Sequence, residues 1–243
     1  MANASGDWII ETVGDGFRPS ITVDSLGDVH ISYARYDGSD LILTYQNLSK
    51  GDFYEVNLSE RGYDEYQSGS LSIDSIGTIH MSFMEAWGGA SSGDLVYGNM
   101  TDGVFYFETL DTAYDRASMA VDPNNKVHIS YYSIALGGLF YLTNVDGTWR
   151  PPELVDNVGG QLEGMCTSIA VDSQYVHISY VGGDKEDNRY AKRGINDQWG
   201  SPWEITHIAD GDFQSAGNSI AVDSDGYVHI SYYHKQSETL KGT

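Results

Sequence analysis

The chain has 243 residues, with 13 Lys plus Arg against 35 Asp plus Glu for a formal net charge of −22, and it carries 28 Gly, 18 Tyr and a single Cys. A field of that sign repels phosphate backbones and anionic lipid, so nucleic acid and membrane insertion are excluded as expected modes of action, and no apolar run reaches the roughly 20 residues of a membrane-spanning helix. The acidic residues are scattered among Tyr, Ile and Val, which excludes a solvating acidic tail, and Cys166 alone cannot form an internal disulfide.

In chain order, residues 1–13 bring an Asn3 turn and the aromatic Trp8, and then a phrase begins that recurs five times, at 20–33, 70–83, 118–131, 168–180 and 219–232. Its histidines, at 30, 80, 128, 177 and 229, are spaced by 48 to 52 residues, the length of a four-stranded propeller blade. Each unit predicts a strand, a turn of Asp-Ser-x-Gly type, a second strand, a third strand (41–45, 94–97, 138–141), and a Gly-bearing turn leading to a fourth strand headed by Phe53, Phe105 or Trp149. No segment keeps a helical period. The fifth unit stops inside its third strand, and residues 1–13 match the missing fourth one. The expectation is an all-β, five-bladed β-propeller with four antiparallel strands per blade, the N-terminal strand closing the last blade. It forms one domain, 1–243, with blades at about 14–60, 61–111, 112–156, 157–208, and 209–243 plus 1–13. A fragment cut out of phase from a longer array is the competing expectation.

The phrase Ser-Ile-Ala-Val-Asp-Ser-x-Gly-x-Val-His-Ile-Ser-Tyr, followed by Leu-x-Tyr-x-x-Asn and Gly-x-Trp, resembles a repeat of bacterial and archaeal secreted or surface proteins, broadly similar to sialidase-type Asp-box propellers. The resemblance covers all five units and implies a propeller at the cell surface or outside the cell. This chain departs from the sialidase pattern by having Val-His or Ile-His where an aromatic follows the Gly, and no arginine cluster with a Tyr/Glu pair is found to carry sialidase catalysis over.

In-register pairing of the first hairpin places Ser20, Thr22, His30 and Ser32 on one face and Ile21, Val23, Val29, Ile31 and Tyr33 on the other. The recurring sets Asp24/His30/Ser32, Asp74/His80/Ser82, Asp122/His128/Ser130, Asp172/His177/Ser179 and Asp223/His229/Ser231 invite comparison with a hydrolase triad. A group present in every unit is expected instead to be a hydrogen-bond staple holding each hairpin, and no catalytic residue is assigned to it. The five histidines stand one per unit without zinc-type spacing. No cofactor is expected, with calcium as the one ion that the oxygen-rich turns at 37–40, 210–212 and 223–226 are suited to hold. The sequons at Asn3, Asn47, Asn57 and Asn99 largely coincide with the repeated Asn turn.

Function is expected where the copies differ. The loops between second and third strands and the inter-blade connections share one face, which brings together Arg18, Tyr36, Tyr63, Tyr66, Trp87 and Arg116 as candidate ligand-binding residues, aromatic planes with charged neighbours. The inner strands contain no acid, leaving Asp64, Glu65, Glu85 and Glu163 as the loop carboxylates available to an enzyme. The primary expectation is therefore a non-catalytic extracellular propeller, a monomer or a module of a larger protein, that binds a glycan, peptide or protein partner through the loop face. The alternatives are a polysaccharide-active hydrolase or lyase with its site at the channel mouth, and a structural, display or engineered repeat module without a ligand.

Overall fold

The computed structural model describes residues 10–61, 65–86, 92–133, 136–157, 166–182, 187–210, 217–234 and 239–242, with the backbone alone at 61, 65–68, 92, 114–116, 233–234 and 239–242. Repeat 1 is an antiparallel meander of β1 (Phe17–Val23), β2 (Val29–Asp37), β3 (Asp40–Asn47) and β4 (Asp52–Asn57). Repeat 2 contributes β5 (Glu65–Ile73), β6 (Ile79–Ala86) and β7 (Ser92–Thr101), then runs into β8 (Val104–Val121), which is also the first strand of repeat 3. With β9 (Val127–Ser133), β10 (Gly138–Thr143) and β11 (Glu153–Asp156) this makes one seven-stranded sheet. Repeat 4 has β12 (Thr167–Val171), β13 (Tyr175–Gly182), β14 (Asp187–Gly194) and β15 (Glu204–Ala209), and repeat 5 has β16 (Asn218–Val222), β17 (Val228–His234) and β18 (Thr239–Gly242).

The first hairpin forms in the register that its alternation dictates, Ser20 opposite Ser32 and Thr22 opposite His30. Its turn is set by two local features. The Asp24 carboxylate accepts the backbone N–H groups of Leu26 and Asp28, each at 2.9 Å, and Asp74, Asp122 and Asp223 cap their turns alike. Gly27, Gly77 and Gly226 then supply left-handed φ values of 86°, 87° and 83°, a conformation that Asn125 takes in repeat 3 at 62°.

The innermost strands lie side by side in the order β1, β5, β8, β12, β16. One serine stitches each neighbouring pair. Ser20 Oγ accepts from Leu71 N at 3.0 Å, Ser70 from Met119 N at 3.1 Å, Ser118 from Ile169 N at 3.2 Å and Ser168 from Ile220 N at 3.2 Å. Between successive sheets lie apolar layers. Leu41, Leu43 and Tyr45 meet Leu71, Met81 and Phe83; further layers join repeats 2 with 3, 3 with 4 and 4 with 5. Sheets standing radially with their first strands innermost make the molecule a β-propeller.

Two expectations about the strands need correction. The connection at Tyr114–Arg116, expected as a loop, lies within the 18-residue β8, because a register shift between Tyr114 and Ala117 lets the outer strand continue inward. The outer strand of repeat 3 starts at Glu153, beyond Trp149, because Pro151 and Pro152 have no N–H to give the ladder. The closing strand expected in 1–13 lies mostly outside the described residues, and 10–13 are not in a strand.

Candidate functional site

The repeated Asp, His and Ser residues come first, because they are the most visible chemistry in the chain. His30 Nδ1 lies 2.6 Å from the Tyr45 hydroxyl, and the same contact joins His80 to Tyr97 at 2.7 Å, His128 to Tyr141 at 2.5 Å and His177 to Tyr190 at 2.7 Å. On the other side of each ring, Nε2 faces the turn aspartate. It hydrogen-bonds Asp74 at 3.3 Å and Asp172 at 3.2 Å, and stands slightly further from Asp24 at 3.4 Å and Asp122 at 3.5 Å, an ion-pair distance without hydrogen-bond geometry. The tautomer that suits both contacts has the phenol donating to Nδ1 and Nε2–H directed at the carboxylate. Burial pushes the Tyr97 and Tyr190 phenols up to about 12, so they stay protonated donors. Burial likewise holds His80 and His177 below the ordinary imidazole value, against the pull of Asp74 and Asp172.

Both imidazole nitrogens thus face a partner within their own blade. The serine, expected as the third member of each staple, takes no part in this chain. Ser130 Oγ meets Thr167 Oγ1 at 2.7 Å, and Ser179 Oγ donates to Asn218 Oδ1 at 2.9 Å, both in the next repeat. Ser82 departs from the expectation altogether: it is fully buried in β6, and its hydroxyl has no hydrogen-bond partner among the described residues. The reason lies in the next inner strand. Thr167 and Asn218 each stand one residue ahead of the first serine of their phrase, and the residue ahead of Ser118 is Ala117, whose methyl group can neither donate nor accept. Tyr, His and Asp therefore tie a blade to its own turn, while the serines of repeats 3 and 4 tie blades together and that of repeat 2 ties nothing. In repeats 1 to 4 the imidazole is thus occupied on both sides and holds its hairpin rather than activating a serine.

Chemistry that differs between repeats collects at the opposite end, where second strands turn into third strands and outer strands pass to the next inner one. Of the residues expected to bind ligand there, Arg18 is exposed at φ 51°, ahead of Pro19, inside a bulge between Phe17 and Ser20. A non-glycine residue held at that φ is strained backbone of a kind found at functional positions. Tyr36 is 55% exposed and stacks on Phe17 with ring centroids 5.4 Å apart. Tyr66 lies in β5 and Arg116 in β8, both at the side-chain positions left undescribed, and Tyr63 and Trp87 fall outside the described residues. Register shifts recur at the matching points of β5, between Gln67 and Ser70, and of β8. Three successive inner strands therefore bend where they enter the mouth.

Glu85 is the one loop carboxylate of the expected four whose side chain is described. It is fully buried in β6, where the other repeats have Arg35, Ser133, Gly182 and His234. Asp94 stands opposite it on the partner strand, and a Cβ on the preceding Gly93 would lie 2.0 Å from the Glu85 carbonyl oxygen, so only glycine fits at 93.

Two carboxylates at this end escaped sequence reasoning. The Tyr131 hydroxyl of repeat 3 donates to Asp111 of β8, and the Tyr180 hydroxyl of repeat 4 donates to Asp156 of β11 at 2.5 Å, where Arg189 adds an ion pair at 3.0 Å. Both acids follow a bulge in the outer strand, at Leu110 and Val155, that turns them toward the next repeat. The signal was present as an acid near the end of the outer strand, but only the register shift gives it a direction. Away from the mouth, a groove of about 620 Å³ opens on the rim between repeats 1 and 2, lined by Tyr54, Glu55, Glu60, Phe105 and Phe107 among others.

No protein-family model and no curated protein matches the chain. Solved structures do resemble it in fold. A protein of unknown function from Dyadobacter fermentans superposes with a TM-score of 0.63 at 14% identity, covering 93% of this chain and 78% of that one. The Penicillium chrysogenum α-L-arabinanase, solved with arabinobiose, gives 0.60 at 11% identity over 96% of this chain and 78% of its own. The α-L-arabinofuranosidase of Lactobacillus brevis gives 0.56 at 11% identity over 89% and 82%. The fold of the arabinanase and of the arabinofuranosidase is thus shared along nearly the whole chain, which counts against the expectation of a non-catalytic binding module for a glycan, peptide or protein.

Proposed function

We propose that the protein is a five-bladed propeller glycoside hydrolase that cleaves an arabinose- or xylose-containing polysaccharide at the loop-face mouth of its channel. The observation that carries this reading is the likeness over 96% of the chain to an arabinanase solved with its disaccharide and over 89% to an arabinofuranosidase. Glycosidic cleavage requires an acid and a second carboxylate flanking one bond. Glu85 is the proposed general acid, because it alone among the repeats places a buried carboxylate at that position. Its partner is drawn from Asp15, exposed ahead of β1, and from Asp64, Glu65 and Glu163. Arg18 and Tyr36 are suited to orient and stack a sugar at the rim. The fifth blade is completed in this reading by residues 1–13. The repeated Asp-Ser-x-Gly turn, whose aspartate caps its own backbone, is read as a counterpart of the Asp box.

Purified protein incubated with debranched arabinan, xylan and the aryl arabinofuranoside and xyloside is expected to release reducing sugar from at least one of them. Glu85→Gln should lower kcat on the polysaccharide by about 100-fold or more, the scale of a lost general acid. Absence of turnover on all four substrates, or full turnover by Glu85→Gln, overturns the assignment. An unsaturated product marks a lyase instead.

A further inference from the structure

The outer strand of repeat 4 breaks its register as do those of repeats 2 and 3. Arg189 pairs with His207 and Asn188 with Ala209, so Ile208 is the extra residue, matching Leu110 and Val155. What flanks the bulge differs. In an unbroken strand, residues three apart point to opposite faces; the bulge shifts the phase and brings His207 and Asp210 to one side. Asp187, the first residue of β14, stands across from them. One donor atom from each of the three lies within 4.8 Å of the others, with His207 Nε2 at 3.3 Å from Asp210 Oδ1 and 3.6 Å from Asp187 Oδ2. The corresponding flanks carry Thr109 and Thr112 in repeat 2, and Leu154 and Asn157 in repeat 3. Where those repeats use Asp111 and Asp156 to bind the next tyrosine, repeat 4 has Ala209.

We propose that Asp187, His207 and Asp210 form a divalent-cation site of zinc type on the loop face of repeat 4. The donor set is one imidazole and two carboxylates, with the fourth position left to water, which suits Zn²⁺. The two measured separations match the edge of a tetrahedron with zinc–ligand bonds near 2.1 Å, about 3.4 Å. Two carboxylates balance the ion's charge, and the surrounding chain carries a net charge of −22, which favours cations generally. Outer contacts are in place as well. Arg189, anchored on Asp156 at 3.0 Å, reaches Asp187 at 3.8 Å and holds that carboxylate in position. The repeated histidines 30, 80, 128 and 177 are buried between a phenol and an aspartate and cannot compete. The sequence expectation that zinc is absent was drawn from the histidines of the repeated phrase, and His207 is not one of them. This site is independent of the proposed hydrolase activity.

The test is calorimetric titration of EDTA-treated protein with zinc chloride, and separately with calcium chloride. One Zn²⁺ per chain is expected, with affinity lowered at least about tenfold by His207→Ala and by Asp210→Asn. His229→Ala provides the control, because His229 and Asp223 form an exposed pair 2.8 Å apart that belongs to no cluster of three ligands among the described residues; it should leave zinc affinity unchanged. Asp210 is 79% exposed, so its substitution leaves the fold intact and isolates the ligand effect. No zinc uptake by the unaltered protein, equal uptake by His207→Ala, an equal loss in His229→Ala, or calcium bound in preference to zinc would each overturn the proposal.

Discussion

Repeats 3 and 5 carry the same phrase and meet opposite fates. In repeat 3, His128 is 1% exposed and lies between Asp122 and the Tyr141 hydroxyl. In repeat 5, the His229 side chain is 59% exposed, and its partner is the Asp223 carboxylate at 2.8 Å. The cause lies on the adjacent strand. The residue that faces the phrase's second serine across the sheet is Tyr45, Tyr97, Tyr141 and Tyr190 in repeats 1 to 4, and it is Gly242 in repeat 5. The following neighbour matters too. Repeat 3 is roofed by repeat 4 through Ile169 and Ile178, whereas Ser219, Ala221 and His229 of repeat 5 are exposed. At the other end Ile21 of repeat 1 is 66% exposed, although its counterparts Leu71, Met119, Ile169 and Ile220 are 5%, 5%, 6% and 7% exposed. A blade's strength in this fold therefore comes from its neighbours and its third strand more than from the phrase that defines it.

The largest way to break that contrast is at Tyr141. Its ring is 2% exposed, meets Trp203 edge-on at 5.2 Å and Trp199 at 5.7 Å, and lies 5.3 Å from the Arg193 guanidinium. Arg193 is itself paired with Glu153. Tyr141→Ala is expected to cost about 3–5 kcal/mol by leaving a cavity among these groups, read as a drop in the denaturant midpoint without a change in slope. A loss under about 1 kcal/mol would mean that the site collapses without penalty, and that third-strand tyrosines are not what distinguishes repeat 3.

The next comparison uses equivalent positions. Leu71→Ala removes a buried side chain from the layer between repeats 1 and 2 and should cost about 2–5 kcal/mol, while Ile21→Ala should cost less than about 0.5 kcal/mol because its side chain already faces solvent. Equal losses at the two positions would show that Ile21 is covered in solution and that the exposure of its side chain is not what distinguishes repeat 1.

Much of the fold could be read from the chain because its signal repeats. The Asp turn, the alternation from Ser20 to Val23 and the histidine spacing each appear five times, and each names a local structure. Repetition also misled: Ser82 looks like Ser130 and Ser179, yet its role depends on a residue of the next repeat, Ala117, that the phrase does not contain. The mouth is different. Glu85 could be picked out as a departure from Arg35 and Ser133, but the direction of Asp111 and Asp156 depends on bulges at Leu110 and Val155, which exist only as offsets between two paired strands. The same applies to His207 and Asp210, three apart and brought together by Ile208. A single sequence shows which residues are unlike their copies, and pairing decides which of those meet.

Acid titration should report the burial of His80 and His177. His80 and His177 are held below the ordinary imidazole value chiefly by burial, so the unfolded chain binds protons before the native one does. Stability is then complete above the unfolded value near pH 6.5, falls as pH drops from there through the lowered native values, and levels off below them. Asp122 and Asp172, kept low by their hydrogen bonds despite burial, add a further decline below about pH 4. Denaturant midpoints between pH 7.5 and 4.5 should show the first decline, and His80→Gln should reduce it. An unchanged pH profile in His80→Gln would remove this histidine as its source.

The smallest expected effect addresses the contrast most directly. Gly242 stands opposite Ser231 in the register that places Tyr45, Tyr97, Tyr141 and Tyr190 opposite their serines. Gly242→Tyr should therefore bring a hydroxyl to His229 Nδ1, the contact that the other four repeats make at 2.5 to 2.7 Å. One hydrogen bond of this kind adds about 0.5–1.5 kcal/mol, and replacing glycine within a strand adds a few tenths more by limiting the unfolded chain. The two contributions separate in a double-mutant cycle with His229→Ala. If the gain from tyrosine is the same with and without the imidazole, the hydroxyl contact contributes nothing and the third-strand tyrosine matters only as an apolar ring. If the gain disappears with the histidine, the difference between repeats 3 and 5 reduces to one missing phenol.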